Sequence, residues 1–488
     1  MRTALLLALV AAAPAFGQLR WQRSYGRSGD DRGLAVALTA DSGYIVAGQS
    51  NSFGPGDNDV YLIRVNSMGD TLWTRTYGGD SEDLAFSVQA TPDGGFIVAG
   101  WTTSFGAGAA DIYLVKTDSA GETLWTRTYG GLNAEFGHSV QPTPDGGYIV
   151  AGTTASFGAG NRDVYMVKTD ASGETLWTRT FGGPGDDEGN SVQLTRDSGY
   201  VVAGQSNSFG AGDADVYLIK INASGDTLWT RTCGDTQEDC GCSVQQASDG
   251  GYIVAGSTGW ADPATSDICV IRTDAAGNTL WTFFYRRDYC DCANSVQPTA
   301  NGDFVIAGVT GEFGPGNGDA LLIRLNADGE TLWTRTYGGP YYEWGYGVRQ
   351  TADAGFVVAG YTFSAQSSFN VFLVKTDAMG SAALSDGQPT HDDRRSELEI
   401  KARPSVIRSV TLFSFALPAA TSEAQLEIQG VSGRRVRTFV LSGAGSARRL
   451  SLTWDGTDDQ GRRLPAGCYF CLLRAGRRMA LTRVTKVR

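Results

Sequence analysis

The sequence predicts an all-β protein: a seven-bladed β-propeller of 52-residue, four-stranded repeats, closed by the N-terminal strand and followed by a small β-sandwich. Three observations predict it. Tryptophan recurs at Trp21, Trp73, Trp125, Trp177, Trp229, Trp281 and Trp333, each step 52 residues. Between tryptophans, each copy holds four short runs of apolar–polar alternation separated by turn residues. Glycine stands at 65 of 488 positions with only 14 prolines, roughly twice the usual ~7% share, and that belongs to turns between strands rather than to disorder.

The elements follow in chain order. MRTALLLALVAAAPAFGQ sets Arg2 before an apolar run from Ala4 to Ala13, with small residues at Ala15 and Gly17. This is the pattern of a secretory signal peptide over residues 1–17, with the mature chain starting at Gln18. The run falls short of the ~20 residues that cross a bilayer, and no later segment is long and apolar enough, so no transmembrane segment is expected. In each repeat SVQ carries the first strand, and a PDGG-type turn supplies positive φ for a hairpin into the second, YIVAG. A glycine-rich loop leads to the third strand, DVYLVK, and a DSAG-type turn to the fourth, TLWTRTYG. Four antiparallel strands per repeat make one propeller blade. The fourth-strand pattern also opens the mature chain as LRWQRSYG, Leu19–Gly26, while the seventh copy ends at VFLVKTDAMG without one. The N-terminal strand is therefore expected to complete blade 7, leaving no unpaired edge at the seam.

The propeller thus spans 18–380, and SAALSDGQPTHDDRRS, residues 381–396, is a polar linker without periodicity. Residues 397–488 hold seven further strand candidates, at 398–402, 410–417, 424–430, 434–441, 448–454, 468–474 and 480–486, which suits a small sandwich. In Trp454–Tyr469, Asp455, Gly456, Asp458 and Gly461 suit a tight loop between strands.

The combination GG-x-x-x-D/E, DGGYIVAG and GETLWTRTYGG resembles the seven-bladed propeller repeats of secreted and surface proteins of bacteria, across residues 19–380. LEIQGVSGRRVRTFVL followed by LTWDGTDDQGRRLPAGCYFCLLRAG resembles the immunoglobulin-like C-terminal modules of exported bacterial proteins, related to the flagellar hook-capping domain and to type IX secretion sorting domains. The resemblance implies that residues 397–488 form a sorting or attachment domain that engages an outer-membrane secretion machinery. It implies too that the protein is secreted or held at the cell surface.

Charge and composition exclude several function classes. From Gln18 to His391 the chain carries 21 Lys+Arg against 43 Asp+Glu, whereas Asp392 onward carries 18 against 9. The first of these parts, at net −22, repels phosphate backbones, so nucleic acid is not an expected partner. With only His138 and His391 in the chain, a multi-histidine zinc site cannot be built.

Within the repeat, an acid stands ten positions after every tryptophan: Asp31, Asp83, Glu135, Asp187, Asp239, Asp291 and Glu343. These form either a carboxylate ring at the channel mouth or, the favoured alternative, a structural set. In the latter each accepts backbone N–H bonds in the loop between blades or pairs with the arginine two after the tryptophan. Asp57–Asp59 and Asp213–Asp215 are oxygen-rich but lack the D-x-D-x-D-G spacing of a calcium loop. No metal site or cofactor is assigned, calcium being the one candidate.

Function that is not sevenfold belongs where the copies differ, in the loops of the later blades. Trp101, Trp260, Arg286, Arg287, Tyr289, Tyr341, Tyr342, Trp344 and Tyr361 lie at the end shared by the fourth-to-first and second-to-third loops, and are candidates for a platform that stacks a sugar or peptide. Cys240-x-Cys242 and Cys290-x-Cys292 fall at matching points of adjacent blades, and in an exported chain disulfides between the two blades are expected rather than zinc. Cys269 is expected in the core, and Cys468 and Cys471 on opposite faces of one strand.

These features describe an exported binding or scaffold module whose ligand is an extracellular glycan, peptide or protein. The alternatives are an extracellular carbohydrate-active hydrolase or lyase using carboxylates at the channel mouth, and a purely structural surface protein. No acid, base and nucleophile stand out beyond the repeat pattern, which favours the module over the enzyme.

Overall fold

In blade 1 the first strand is Asp31–Leu38, followed by Tyr44–Ser50, Asp59–Val65 and Thr71–Tyr77, hydrogen-bonded antiparallel in that order. Six blades repeat this order with consecutive strands, and the seventh completes it with a strand from the other end of the chain. The computed structural model describes residues 20–259, 266–285, 291–311, 318–363, 368–382, 400–403, 406–407, 410–417, 423–430, 435–442, 448–465, 467–475 and 478–487. Among these no helix is long and apolar enough to cross a membrane. The expected signal peptide, residues 1–17, lies outside the described residues, as does the expected linker, 381–396, apart from Ser381 and Ala382.

The seam closes as the strand count predicts. Trp21–Tyr25 pairs antiparallel with Phe369–Thr376, Trp21 opposite Lys375 and Tyr25 opposite Val371. Its side chains face blade 1: Trp21 Nε1 donates to Ser67 O (3.0 Å) and Tyr25 OH to Gly69 O (2.7 Å). The same bolt recurs at other interfaces, with Tyr77, Tyr129 and Tyr337 donating to the turn glycines Gly121, Gly173 and Gly380.

The second and third strands are buried along nearly their whole length, which is why they read as continuous Val/Ile/Leu/Tyr runs. Core clusters span neighbouring blades; one joins Val36, Val46 and Ile63 of blade 1 to Val357, Val371 and Leu373 of blade 7. A serine in the first strand ties each middle interface, as where Val192 N donates to Ser139 Oγ (3.1 Å) and Val244 N to Ser191 Oγ (3.2 Å).

Every blade also holds a third-strand cation paired with an acid of the first hairpin. The pairs are Arg64–Asp41, Lys116–Asp93, Lys168–Asp145, Lys220–Asp197, Arg272–Asp249, Arg324–Asp303 and Lys375–Asp353. The Lys116 side chain is only 4% exposed, and its ammonium lies 2.8 Å from Asp93 and 2.9 Å from Thr117 O. Burial works to raise the Asp93 carboxyl, but hydrogen bonds from Lys116, Thr91 and the Gly95 N–H outweigh it and hold it at about 2. Asp145 is held at about 2 in the same way by Lys168, Thr143 and Gly147. Because these carboxyls titrate lower folded than unfolded, their stabilisation is complete above about pH 4 and is lost as pH falls through about 2. Melting temperature should therefore drop steeply between pH 4 and pH 2. At neutral pH, Asp93→Ala should cost about 1–2 kcal/mol in urea unfolding, since it strands a buried ammonium whose partner was half-exposed.

The C-terminal unit, Asp392–Arg488, is a two-sheet sandwich. One sheet is Ile400–Arg403, Thr411–Leu417 and Arg448–Trp454; the other orders Val406–Ile407, Arg478–Lys486, Gly467–Ala475, Glu423–Gly430 and Arg435–Ser442. All seven expected strands are present within two residues of their expected ends, and the two-residue strand Val406–Ile407 is additional. Trp454 is fully buried against Tyr469, and its Nε1 donates to Thr457 O (2.9 Å). The loop after it turns as its acids and glycines require: Asp458 accepts the N–H groups of Gln460 and Arg462, and Gly461 takes φ +77°. Cys471 is in the core as alternation predicts.

Candidate functional site

In all seven first strands the ladder to the second strand skips one residue, between Gly33 and Ala35 in blade 1 and at the equivalent place in each other blade. The skipped residues are Leu34, Phe86, His138, Asn190, Cys242, Asn294 and Tyr346. A bulge re-aims its side chain. All seven line a central channel cavity of about 110 Å³, walled by the first strands of every blade. The bulge also explains the glycine of each YIVAG strand: a Cβ on Gly100 would sit 1.7 Å from Leu84 O, so the backbones approach too closely for any side chain.

Two residues before each bulge position stand Arg32, Leu84, Phe136, Glu188, Cys240, Cys292 and Trp344. In these two columns no residue type occurs more than twice in seven copies, although the strands around them are nearly invariant. The side chains of the two columns lie side by side, as Cys240 and Cys242 (Sγ–Sγ 3.7 Å) and Trp344 and Tyr346 (ring centroids 6.1 Å) show. The sevenfold scaffold therefore departs from its symmetry along the channel wall. Trp344, Cys240, Cys242 and Cys292 stand out in the sequence, but the columns as a set show only in the copy-by-copy divergence within the first strand.

The wall is divided. On the blade 7 side Trp344, Tyr346 and Tyr361 form a near-parallel stack, with Trp344–Tyr361 at 5.9 Å and 15° and Tyr346–Tyr361 at 5.6 Å and 32°. Beside it the Arg32 guanidinium lies over Phe369 (4.4 Å) and Tyr361 (5.3 Å). Tyr341 and Tyr342 at the rim are 39% and 44% exposed, and Trp101 packs edge-on against Phe136 (5.5 Å). The structure thus groups Trp344 with Tyr361, leaves Trp101 two blades away, and adds Arg32, Tyr346 and Phe369. Trp260, Arg286, Arg287, Tyr289 and Cys290 lie outside the described residues.

Across blades 4 to 6 the wall is polar and thiol-bearing. Asn190 Nδ2 donates to Gly241 O (3.2 Å) and lies 3.4 Å from Cys240 Sγ, while Cys292 Sγ is 3.4 Å from the Ser266 hydroxyl. Cys240 and Cys242 are not in disulfides, which corrects the expected inter-blade bridging for these two. Cys242 is the bulge residue and Cys240 stands two before it on the same strand, and their sulphurs lie side by side, 3.7 Å apart. The hydrogen bond with Cys242, then burial, push the Cys240 thiol up. Cys269 is buried in the core, as expected.

Burial lowers His138 to about 4, which keeps it neutral against Phe86. Glu188 is held by Arg162 (3.1 Å) and Gln205 (3.4 Å).

The seven blade acids do not stand at the channel mouth. Asp31, Asp83, Glu135, Asp187, Asp239, Asp291 and Glu343 are at most 3% exposed. Glu135 accepts the N–H of Gly131 (2.7 Å), the Thr154 hydroxyl (2.7 Å) and the N–H of Ser156 (3.0 Å). Asp83 accepts from Gly79 N (2.8 Å) and Ser104 Oγ (2.7 Å). These are the loop hydrogen bonds the structural alternative requires, and a hydrolase or lyase built on this ring is left without accessible carboxylates.

Nor do these acids pair with the arginine after the tryptophan. Arg75 and Arg127 instead lie over Trp73 and Trp125 and reach Glu122 (2.8 Å) and Glu174 (3.1 Å) of the next blade. Asp59 and Asp215, the third-strand acids of the two calcium candidates, accept N–H groups of their own loops, Gly56 N for one and Ala211 N and Gly212 N for the other. Among the described residues no group of three or more His, Cys, Asp or Glu fits a metal ion.

Residues 405–474 match the model of the FlgD Ig-like domain. The chain is 26% identical over 306 residues to the regulatory protein FlaEY of Caulobacter vibrioides, a match covering 57% of this chain and 29% of FlaEY. It thus spans less than a third of the length of that curated relative. Among solved structures, PorZ, a surface component of the type-IX secretion system of Porphyromonas gingivalis, aligns at TM-score 0.39 and 12% identity over 93% of this chain and 59% of PorZ. A puromycin hydrolase aligns at 0.47 and 16%, over 80% of this chain and 59% of the hydrolase. The β-propeller domain of the Trilobed protease from Pyrococcus furiosus aligns at 0.39 and 11%, over 74% and 98%.

Proposed function

We propose that this chain is an exported binding module whose propeller takes its ligand at the loop end of the channel, on the wall formed by the two divergent columns. One observation carries the proposal: a scaffold that keeps its strands, turns and blade acids in seven copies differs between copies at the residues facing the channel. Structural demand is the same in every blade, so it cannot account for six different residue types among seven copies at one register position. A ligand that breaks the sevenfold symmetry can.

The C-terminal sandwich, over which the FlgD Ig-like model matches, serves on this view in delivery or attachment at the outer surface, in contact with outer-membrane secretion machinery. The net +9 of residues 392–488 against the −22 of residues 18–391 suits separate duties for the two units.

Screening the mature protein against glycan and peptide panels tests the channel. Saturable binding is expected without turnover, and Trp344→Ala should weaken it at least ~10-fold while the melting temperature stays within a few degrees. Binding that is indifferent to every substitution along the wall would move the site elsewhere. Intact mass of protein recovered from outside the producing cell tests export, a start at Gln18 being the expected result.

A further inference from the structure

On the premise that the channel wall is the binding site, we infer that its blade 7–blade 1 sector binds a carboxylate-bearing sugar, a hexuronate unit of an acidic polysaccharide. Arg32 would take the carboxylate and Trp344 the ring face.

The argument begins with Arg32. Its side chain is one-third exposed, its Nε is buried, and among the described residues its guanidinium donates no hydrogen bond. Its carboxylate partner is Asp30, in a long ion pair through Oδ2 (3.8 Å), beyond hydrogen-bonding distance, while the other Asp30 oxygen accepts the Phe369 N–H (3.0 Å). A half-buried guanidinium with its fork unused is costly, and here the rings of Phe369 and Tyr361 fix it in place without satisfying it. Glu188, in the same column of blade 4, has two partners, so the vacancy is specific to Arg32.

The chemistry of the missing acceptor follows from the surroundings. A guanidinium fork matches a planar carboxylate in two parallel hydrogen bonds. A phosphate monoester carries roughly −1.5 to −2 at neutral pH, more than one guanidinium balances, whereas a uronate carries a single negative charge on a planar group that the fork matches. Next to Arg32 stands an aromatic stack rather than a row of backbone donors, and flat ring faces suit the apolar face of a pyranose better than an extended peptide, which is recognised through main-chain hydrogen bonds.

The test is calorimetric titration of the mature full-length protein with short oligomers of galacturonic, glucuronic, mannuronic and guluronic acid, each beside its methyl ester. At least one free acid should bind, and its ester at least ~10-fold more weakly. Arg32→Gln should bring acid and ester to equal affinity, and Trp344→Ala should weaken both, with circular dichroism and melting temperature unchanged. Equal binding of acid and ester by the unsubstituted protein overturns the inference and leaves the binding module standing. So does binding of an acidic peptide that depends on Arg32 while no uronate binds. If no glycan or peptide binds at all, the binding module itself falls.

Discussion

Glu135→Ala is expected to destabilise the propeller by about 4 kcal/mol, measured as the shift in urea unfolding at constant m-value. The side chain is fully buried and accepts three hydrogen bonds, from Gly131 N, Thr154 Oγ1 and Ser156 N, that hold the loop entering blade 3 to the second strand of that blade. Truncation leaves three donors without an acceptor and opens a cavity where the carboxylate was. Donors to a charged acceptor contribute about 1.5–3 kcal/mol apiece in favourable cases, and leaving them unmade costs more than the bonds contributed. Glu135→Gln, which keeps an acceptor oxygen but presents N–H₂ to Gly131 N or to the Thr154 side, should cost about half as much. If both substitutions changed stability by less than about 1 kcal/mol, the blade acids would not be structural, and a ligand role for the ring would return.

That ring shows what one sequence discloses and what it withholds. Seven blades, their closure and the sandwich strands were legible, because tryptophan spacing, turn glycines and alternation are local signals repeated many times. The structural role of the acids was legible for a related reason: a side chain present in all seven copies answers a need present in all seven.

Long-range pairing was not legible. Lys116 and Asp93 lie 23 residues apart, and nothing in either segment marks them as partners until the hairpin brings them to 2.8 Å. Arginine and acid sit at fixed spacing in six of the seven repeats, yet Arg75 crosses to Glu122 of the next blade rather than to Asp83. The bulge was invisible because it is one residue without a cross-strand partner. Cys240 and Cys242, two apart on one strand, lie on the same face with their sulphurs 3.7 Å apart, so the matching C-x-C spacing of adjacent blades was a poor guide to their pairing. The candidate site fell between these cases: Trp344 and Tyr361 were marked as conspicuous aromatics, whereas Arg32 and Tyr346 needed the strand register to place them beside the stack.

Deleting residues 18–25 should abolish cooperative folding of the propeller. The strand Trp21–Tyr25 belongs to blade 7 by its backbone and to blade 1 by its side chains, and it joins the two ends of the ring. Trp21 is 8% exposed and packs edge-on against Tyr44 of blade 1 (6.0 Å). Its loss alone costs about 3–5 kcal/mol, by analogy with other buried aromatic truncations. Five ladder residues and the Tyr25 bond add about 0.5–1.5 kcal/mol per hydrogen bond. Together these reach the roughly 5–15 kcal/mol by which a whole domain is stable. The deletion also exposes the edge of Phe369–Thr376, a mostly buried, apolar strand that would template aggregation. Supplying residues 18–27 as a free peptide should restore the melt by adding the missing strand in trans, whereas a peptide carrying Trp21→Ala should not. A truncated protein that melted cooperatively within a few degrees of the intact one would show that blades 1 and 7 hold each other through their cores alone, and that the N-terminal strand is dispensable to the ring.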